Sequence, residues 1–273
     1  MRVVSMNTGR NEGDYHARMA LIAEGLAALG PDIVLLQECF ASADGEIDAT
    51  REIAGRLGLA SACGPARLKV RHIGDAPVLS TSGLSVLSRH PIVTTAVHDL
   101  PQSPRDGERK AQVVTVRAAG GLVRIVNLHL THLTGTAGDA LRQSQISTVL
   151  DVLSTGPESA VPALIGGDLN AEPDSVVIRQ LYNDRRCDPD PRGSAALPAT
   201  YLGGLVGARG PGKAIDYVVA FNPAGASGRI HLRAISVAMT GPDTKLGLLP
   251  SDHAAVVADV DFVRTSSGPV NFS

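Results

Sequence analysis

The chain has 273 residues, of which 44% are hydrophobic, with a formal net charge of −2, aromatics at only 3% and no tryptophan. Apolar content of this size can bury the core of a large domain. Near-neutral charge gives no global attraction to a polyanion, and so few aromatics leave little on which exposed bases could stack, which argues against a dedicated single-strand binder. The three cysteines, Cys39, Cys63 and Cys187, show no CxxC spacing. That pattern indicates neither a disulfide framework nor a thiolate metal site, and buried free thiols are expected.

In chain order, Val3 to Met6 reads as an apolar strand ending at the amide of Asn7. Asp14 to Leu29 places Met19, Ile22, Leu26 and Leu29 on one helical face, closed by Gly30-Pro31. Ile33 to Gln37 is a second apolar strand. Glu38 leaves its end as a carboxylate whose desolvation is costly unless water, a cation or a donor meets it. Leu84 to Ser88, Gln112 to Arg117 and Val123 to Leu128 follow as strands. Ala119-Gly120-Gly121 reads as a hairpin turn, so the sheet is not purely parallel.

His129 and His132 come three residues apart after a strand. No third nitrogen or sulfur ligand follows nearby, so zinc is disfavoured. A phosphate-facing or proton-transferring histidine fits better, with a hydrogen-bonded structural role left open. Asp139 to Leu153 is a helix with Leu141, Ile146, Val149 and Leu150 on one face. The strand Ala163 to Ile165 runs into Gly166-Gly167-Asp168-Leu169-Asn170, where an acid and an amide two residues apart can face the same way. A glycine turn capping a helix near Pro173 is the alternative.

Pro189 to Gly212 reads as a surface loop. Within it, Gly207 to Lys213 matches the spacing of a phosphate loop, but Ala214 and a strand follow where Ser or Thr and a helix are required. Ile215 to Phe221 carries Asp216 into an apolar strand, where an acid needs a partner such as an imidazole. Leu232 to Val237 and Ala254 to Phe262 are the last strands, the second introduced by Ser251-Asp252-His253. Residues 1–264 are read as one domain of mixed or antiparallel α/β layers and residues 265–273 as a flexible tail. With no signal-peptide core and no stretch of membrane-spanning length, a cytoplasmic protein is expected, taken here as a monomer.

In order and strand context, Met6-Asn7, Leu36-Gln37-Glu38, Gly83 to Arg89, Asn127 to Leu130, Gly167 to Asn170, Ile215-Asp216-Tyr217 and Ser251-Asp252-His253 resemble the endonuclease/exonuclease/phosphatase (deoxyribonuclease I-like) superfamily over nearly the whole chain. The resemblance implies an α/β fold, a four-layer α/β/β/α sandwich of two mixed, mainly antiparallel sheets with the site at one end. It also implies Mg²⁺ or Mn²⁺ held by Glu38 with Asn7 and Asp252, oxygen ligands of the kind a hard cation prefers.

On the same resemblance His253 is the general base, Asp216 its orienting partner, and Asp168 and Asn170 position water and phosphate. His129 binds a phosphoryl oxygen or assists the leaving group, while Arg109 and His132 are phosphate-binding candidates. The expected reaction is metal-dependent hydrolysis of a phosphoester by in-line attack of an activated water. Alternatives are a nuclease, a sphingomyelinase-like lipid phosphodiesterase, or a non-catalytic binding protein on the same fold. Phe40 stands where deoxyribonuclease I-like enzymes offer a minor-groove arginine, so nucleic acid is admitted but not favoured. The loops Gly64 to Ser82 and Pro189 to Gly212 are expected to shape the cleft.

Overall fold

The computed structural model describes residues 1–188, 191, 197–205, 210–226 and 228–264. The expected tail at 265–273 and parts of the 189–212 loop, including residues 207–209 of the rejected phosphate-loop match, lie outside the described residues. The first half of the chain contains β1 (Arg2–Asn7), α1 (Tyr15–Leu29), β2 (Ile33–Ser42), α2 (Ala49–Leu57), β3 (Ala60–Gly64), β4 (Lys69–Ile73), β5 (Ala76–Ser88) and β6 (Ile92–Asp99). It continues with β7 (Lys110–Ala118), β8 (Gly121–His129), α3 (Gly135–Ser154), β9 (Ala163–Asp168), α4 (Val176–Asn183), β10 (Asp216–Phe221), β11 (Gly228–Ala238) and β12 (Ala255–Arg264).

One sheet runs β11-β12-β1-β2-β5-β3, with β4 pairing on β5, and the other runs β10-β9-β8-β7-β6. Among the described residues only β1/β2 and β8/β9 pair in parallel, so both sheets are mixed and mainly antiparallel. The expected hairpin joins β7 to β8, with Ala118 opposite Gly121.

Period-two alternation builds the four layers. On β1 and β2, Val4, Met6, Val34 and Leu36 pack under Met19, Ile22 and Leu26 of α1. Val3, Ile33 and Leu35 face the other way, against Val123 and Ile125 of β8, Leu164 of β9 and Val218 of β10. The outer face of the second sheet, with Val126, Leu128 and Ile165, is covered by Ile146 and Val149 of α3 and Val177 of α4. The result is helix, sheet, sheet, helix, as expected. α1 is capped by the Asp14 side chain, which accepts from the Ala17 N–H, and ends on Gly30 in the left-handed conformation.

Several expectations change. The segment read as the loop Gly64 to Ser82 holds β4, which forms a hairpin with the start of β5; none of its residues is fully buried and its apolar Val70 is exposed, so no buried stripe announces it. The edge strand β6 is almost wholly exposed and escaped notice for the same reason. α2 and β3 were not anticipated either. Cys39 and Cys187 are buried free thiols, but Cys63 is exposed. Phe40 is fully buried and packs edge-on against Tyr15, so it does not face the cleft as a substituted substrate contact. No helix among the described residues is long and apolar enough to cross a membrane.

Candidate active site

The apolar stripe between the sheets turns polar at one end. Continuing each strand by two residues on the same face replaces Val3 by Ser5 and Asn7, Leu35 by Gln37, Ile125 by Asn127 and His129, and Val218 by Asp216. These residues meet across the sheets. Gln37 donates to Asn127 at 2.8 Å, and the Asn127 amide donates to the Leu36 and Ser85 carbonyls, which closes the buried end of the seam. Asn7 Nδ2 donates to Asp168 Oδ2 at 3.1 Å, and Asn7 Oδ1 accepts the Gly9 N–H. The glycines before Asp168 are required by space: a Cβ on Gly167, whose φ is 133°, would lie 2.0 Å from the Leu128 carbonyl oxygen.

His253 Nδ1 lies 2.9 Å from Asp216 Oδ2, while its Nε2 lies 3.7 Å from Asp168 Oδ2. His129 Nε2 approaches the same Asp168 oxygen at 3.5 Å. Asp168 Oδ1 accepts the Asn170 N–H, and Asn170, in the left-handed region at φ 50°, donates its amide to the Leu130 carbonyl. The Tyr201 ring packs 5.3 Å from the His253 ring.

Burial in this corner makes its charges act strongly on one another. Burial lowers the His253 pKa, but Asp216 and Asp168 raise it more, to about 10. Burial and Asp216 push Asp168 up to about 7 against the opposing pull of His253. Burial, reinforced by Arg109 and His253, drives His129 well below its ordinary value, so it is a neutral imidazole.

Glu38 reaches the cleft by a backbone irregularity. The β2/β5 register shifts between Leu36 and Cys39, and Glu38 has φ 57°. A bulge at this point re-aims a side chain that strict alternation would have sent toward the helices. Burial raises the Glu38 pKa and Asp252 raises it further, although Arg10 opposes them. The Arg10 Nε sits 3.1 Å from Glu38 Oε2.

Two neighbouring carboxylates that need a positive charge suit a hard divalent cation, and an arginine supplies that charge here. Asn7 adjoins them, its oxygen holding Gly9. The segments carrying Asn7, Arg10 and Asp252 are tied by Arg18, which is buried and donates to the carbonyls of Thr8, Gly9, Arg10, Glu12 and Pro250. Ser251 Oγ adds a bond to the Asn7 carbonyl at 2.7 Å. Among the described residues the acid–histidine group with ligand atoms within 4.8 Å is instead Asp168, Asp216 and His253. There Nδ1 and Oδ2 already bond each other, an arrangement that fits proton handling better than ligation.

Asn7, Glu38, His129, Asp168, Asp252 and His253 line a cleft of about 350 Å³, with Asp216 held beneath His253. Arg109 and His132 line it as well and act electrostatically on His129. Arg109 makes a bidentate pair with Asp106, at 3.0 and 2.8 Å, and its Nη2 lies 3.0 Å from His132 Nδ1. Arg109 is thus a held, nearly buried cation, whereas the His132 side chain is 62% exposed. Sequence reasoning missed Arg10, Arg18 and Asp106. None ends an apolar strand, and only the paired loop geometry reveals them.

The family model for the endonuclease/exonuclease/phosphatase family matches residues 4–253. Among solved structures, an endonuclease/exonuclease/phosphatase from Beutenbergia cavernae is 25% identical with a TM-score of 0.71, over 99% of this chain and 72% of that one. The human Nocturnin catalytic domain superposes with a TM-score of 0.70 at 21% identity, over 96% of this chain and 94% of its own. TDP2 from Caenorhabditis elegans gives 0.66 at 19% identity, over 96% and 74%. No curated protein matches the sequence significantly.

Proposed function

The chain belongs to the endonuclease/exonuclease/phosphatase family, and we propose that it is a divalent-metal-dependent hydrolase that opens a phosphoester bond by in-line attack of water. The observation that carries this reading is the meeting of Asp216, His253 and Asp168 at the floor of a cleft that also exposes Glu38 and Asp252.

In its neutral form His253 takes the proton of the attacking water on Nε2, while Asp216 accepts the Nδ1–H, holds the tautomer and stabilises the imidazolium that forms. As the water oxygen bonds to phosphorus, the bond to the leaving oxygen breaks and that oxygen takes up a proton. Asp168, fixed by Asn7 and by the Asn170 N–H, orients the water. Asn170 and neutral His129 present N–H groups to phosphoryl oxygens, and Arg109 with His132 serves further oxygens.

Glu38, Asp252 and the neighbouring Asn7 are the residues that would hold Mg²⁺ or Mn²⁺. When bound, that cation supplies Lewis acidity to the phosphoryl oxygens.

The test is hydrolysis of bis-p-nitrophenyl phosphate, p-nitrophenyl phosphate, plasmid DNA and sphingomyelin, with and without EDTA. Turnover of at least one substrate that EDTA abolishes and Mg²⁺ or Mn²⁺ restores supports the reading. Full activity in EDTA removes the metal, and no turnover of any phosphoester removes the enzyme.

A further inference from the structure

The cleft has a cationic wall opposite its acidic floor. Along β4 and the two residues before it, Leu68 and Val70 stand 57% and 62% exposed, whereas Arg67, Lys69 and Arg71 all line the cleft. Arg71 is fixed by donating to the Ser80 carbonyl at 2.7 Å and to the Ser80 hydroxyl at 3.2 Å.

Arg10 and Arg109, on the floor side, each have a carboxylate partner. Arg67 and Lys69 have none within salt-bridge distance among the described residues. Partial burial lowers the Lys69 pKa, and its charged neighbours, Arg67, Arg71, Arg10 and Arg109, are all cations that lower it further. Glu38 offers some compensation to Arg71, but none acts on Lys69, and like charges gathered this way favour an anion joining them. The fork of an arginine and the compact ammonium of a lysine are the groups that bind phosphate oxygens.

We propose that Arg67, Lys69 and Arg71 form a subsite for a second phosphate group of the substrate, apart from the phosphate that reacts at His253. This rests on the phosphoester hydrolase reading above and extends it to substrate class: a molecule carrying at least two phosphates. Such a pair of phosphates occurs in a small bisphosphorylated metabolite and along a nucleic-acid strand.

The experiment compares the thymidine dinucleotide TpT with its 5′-phosphorylated form pTpT, which differ only in the added phosphate. The wild type is expected to prefer pTpT in kcat/KM by at least tenfold. In Arg67→Ala/Lys69→Ala this ratio should fall toward one, and Arg67→Lys/Lys69→Arg should restore most of it. An oligothymidylate of ten residues separates the sources. A further rise in kcat/KM that collapses with salt points to a strand, and no rise beyond pTpT points to a small molecule.

Absence of a wild-type preference, or a ratio untouched in a folded double variant, overturns the subsite. If neither dinucleotide nor bis-p-nitrophenyl phosphate is hydrolysed, the hydrolase reading fails separately. Calorimetric titration of inorganic pyrophosphate in EDTA then decides the subsite: at least tenfold weaker binding by the double variant sustains it, and equal binding refutes it.

Discussion

Asp216 and His253 come from different sheets, the one at the start of β10 and the other just before β12, yet His253 Nδ1 lies 2.9 Å from Asp216 Oδ2. The contact exists only because the two sheets pack face to face, so integrity of the sandwich and function of the candidate base are linked.

His253→Ala is expected to lower kcat by about 10²–10⁴-fold, the usual contribution of a positioned general base. Asp216→Asn, which keeps the shape but loses the charge, should cost a similar factor and shift the pH–rate profile, because a carboxamide no longer holds the proton on Nδ1. Steady-state rates from pH 5 to 11 check both: the wild-type rate should rise toward the raised His253 pKa of about 10, and loss of the Asp216 charge should move that rise to lower pH. Wild-type rates in either folded variant would remove the pair from the chemistry.

Glu38→Gln keeps the bulged backbone but removes one of the two carboxylates, Glu38 and Asp252, proposed to hold the cation. At least tenfold weaker Mn²⁺ binding is expected, read by electron paramagnetic resonance of free Mn²⁺ independently of activity. Unchanged binding would place the cation elsewhere, with the Asp168, Asp216 and His253 group next in line.

Acid sensitivity should trace in part to Asp106. Burial raises its pKa, but hydrogen bonds from Arg109 and Thr131 outweigh this and bring it to about 2, below the ordinary 3.8. The unfolded chain therefore binds the proton first as pH falls, so the stabilisation is complete above about pH 4–5 and is lost toward pH 2. A shift of this size corresponds to roughly 2 kcal/mol. Denaturant unfolding at pH 6 and pH 3 should show a smaller acid-induced loss in Asp106→Asn than in the wild type.

Gly167→Ala adds a methyl group where only 2.0 Å separates it from the Leu128 carbonyl oxygen, at a φ of 133° that side chains rarely adopt. Destabilisation by about 3 kcal/mol is expected, from strain and overpacking together. Because Gly167 precedes Asp168, activity should fall beyond what unfolding explains. Chemical denaturation together with rates measured well below the unfolding midpoint separates the two effects.

Much of this was legible in the amino-acid order. Val3, Leu35, Ile125 and Val218 each continue at period two into a polar residue, so Asn7, Gln37, His129 and Asp216 announce themselves as strand-end groups on one face. The capped helix from Asp14 to Gly30 was equally plain. β4 and β6 were not, because exposed strands carry no apolar stripe. Arg67, Lys69 and Arg71 consequently passed for a loop.

The sequence by itself determined the alternation that makes two sheets bury a common apolar layer and leaves acids, amides and imidazoles at its end, since side-chain direction follows from local backbone period. Tertiary structure decided what those groups do to one another. A single bulge turns Glu38 into the cleft, the sheet packing joins His253 to Asp216, and folding back of the β4 hairpin sets three cations across from the acids. Each depends on residues far apart in the chain, and charge acts through space rather than along sequence.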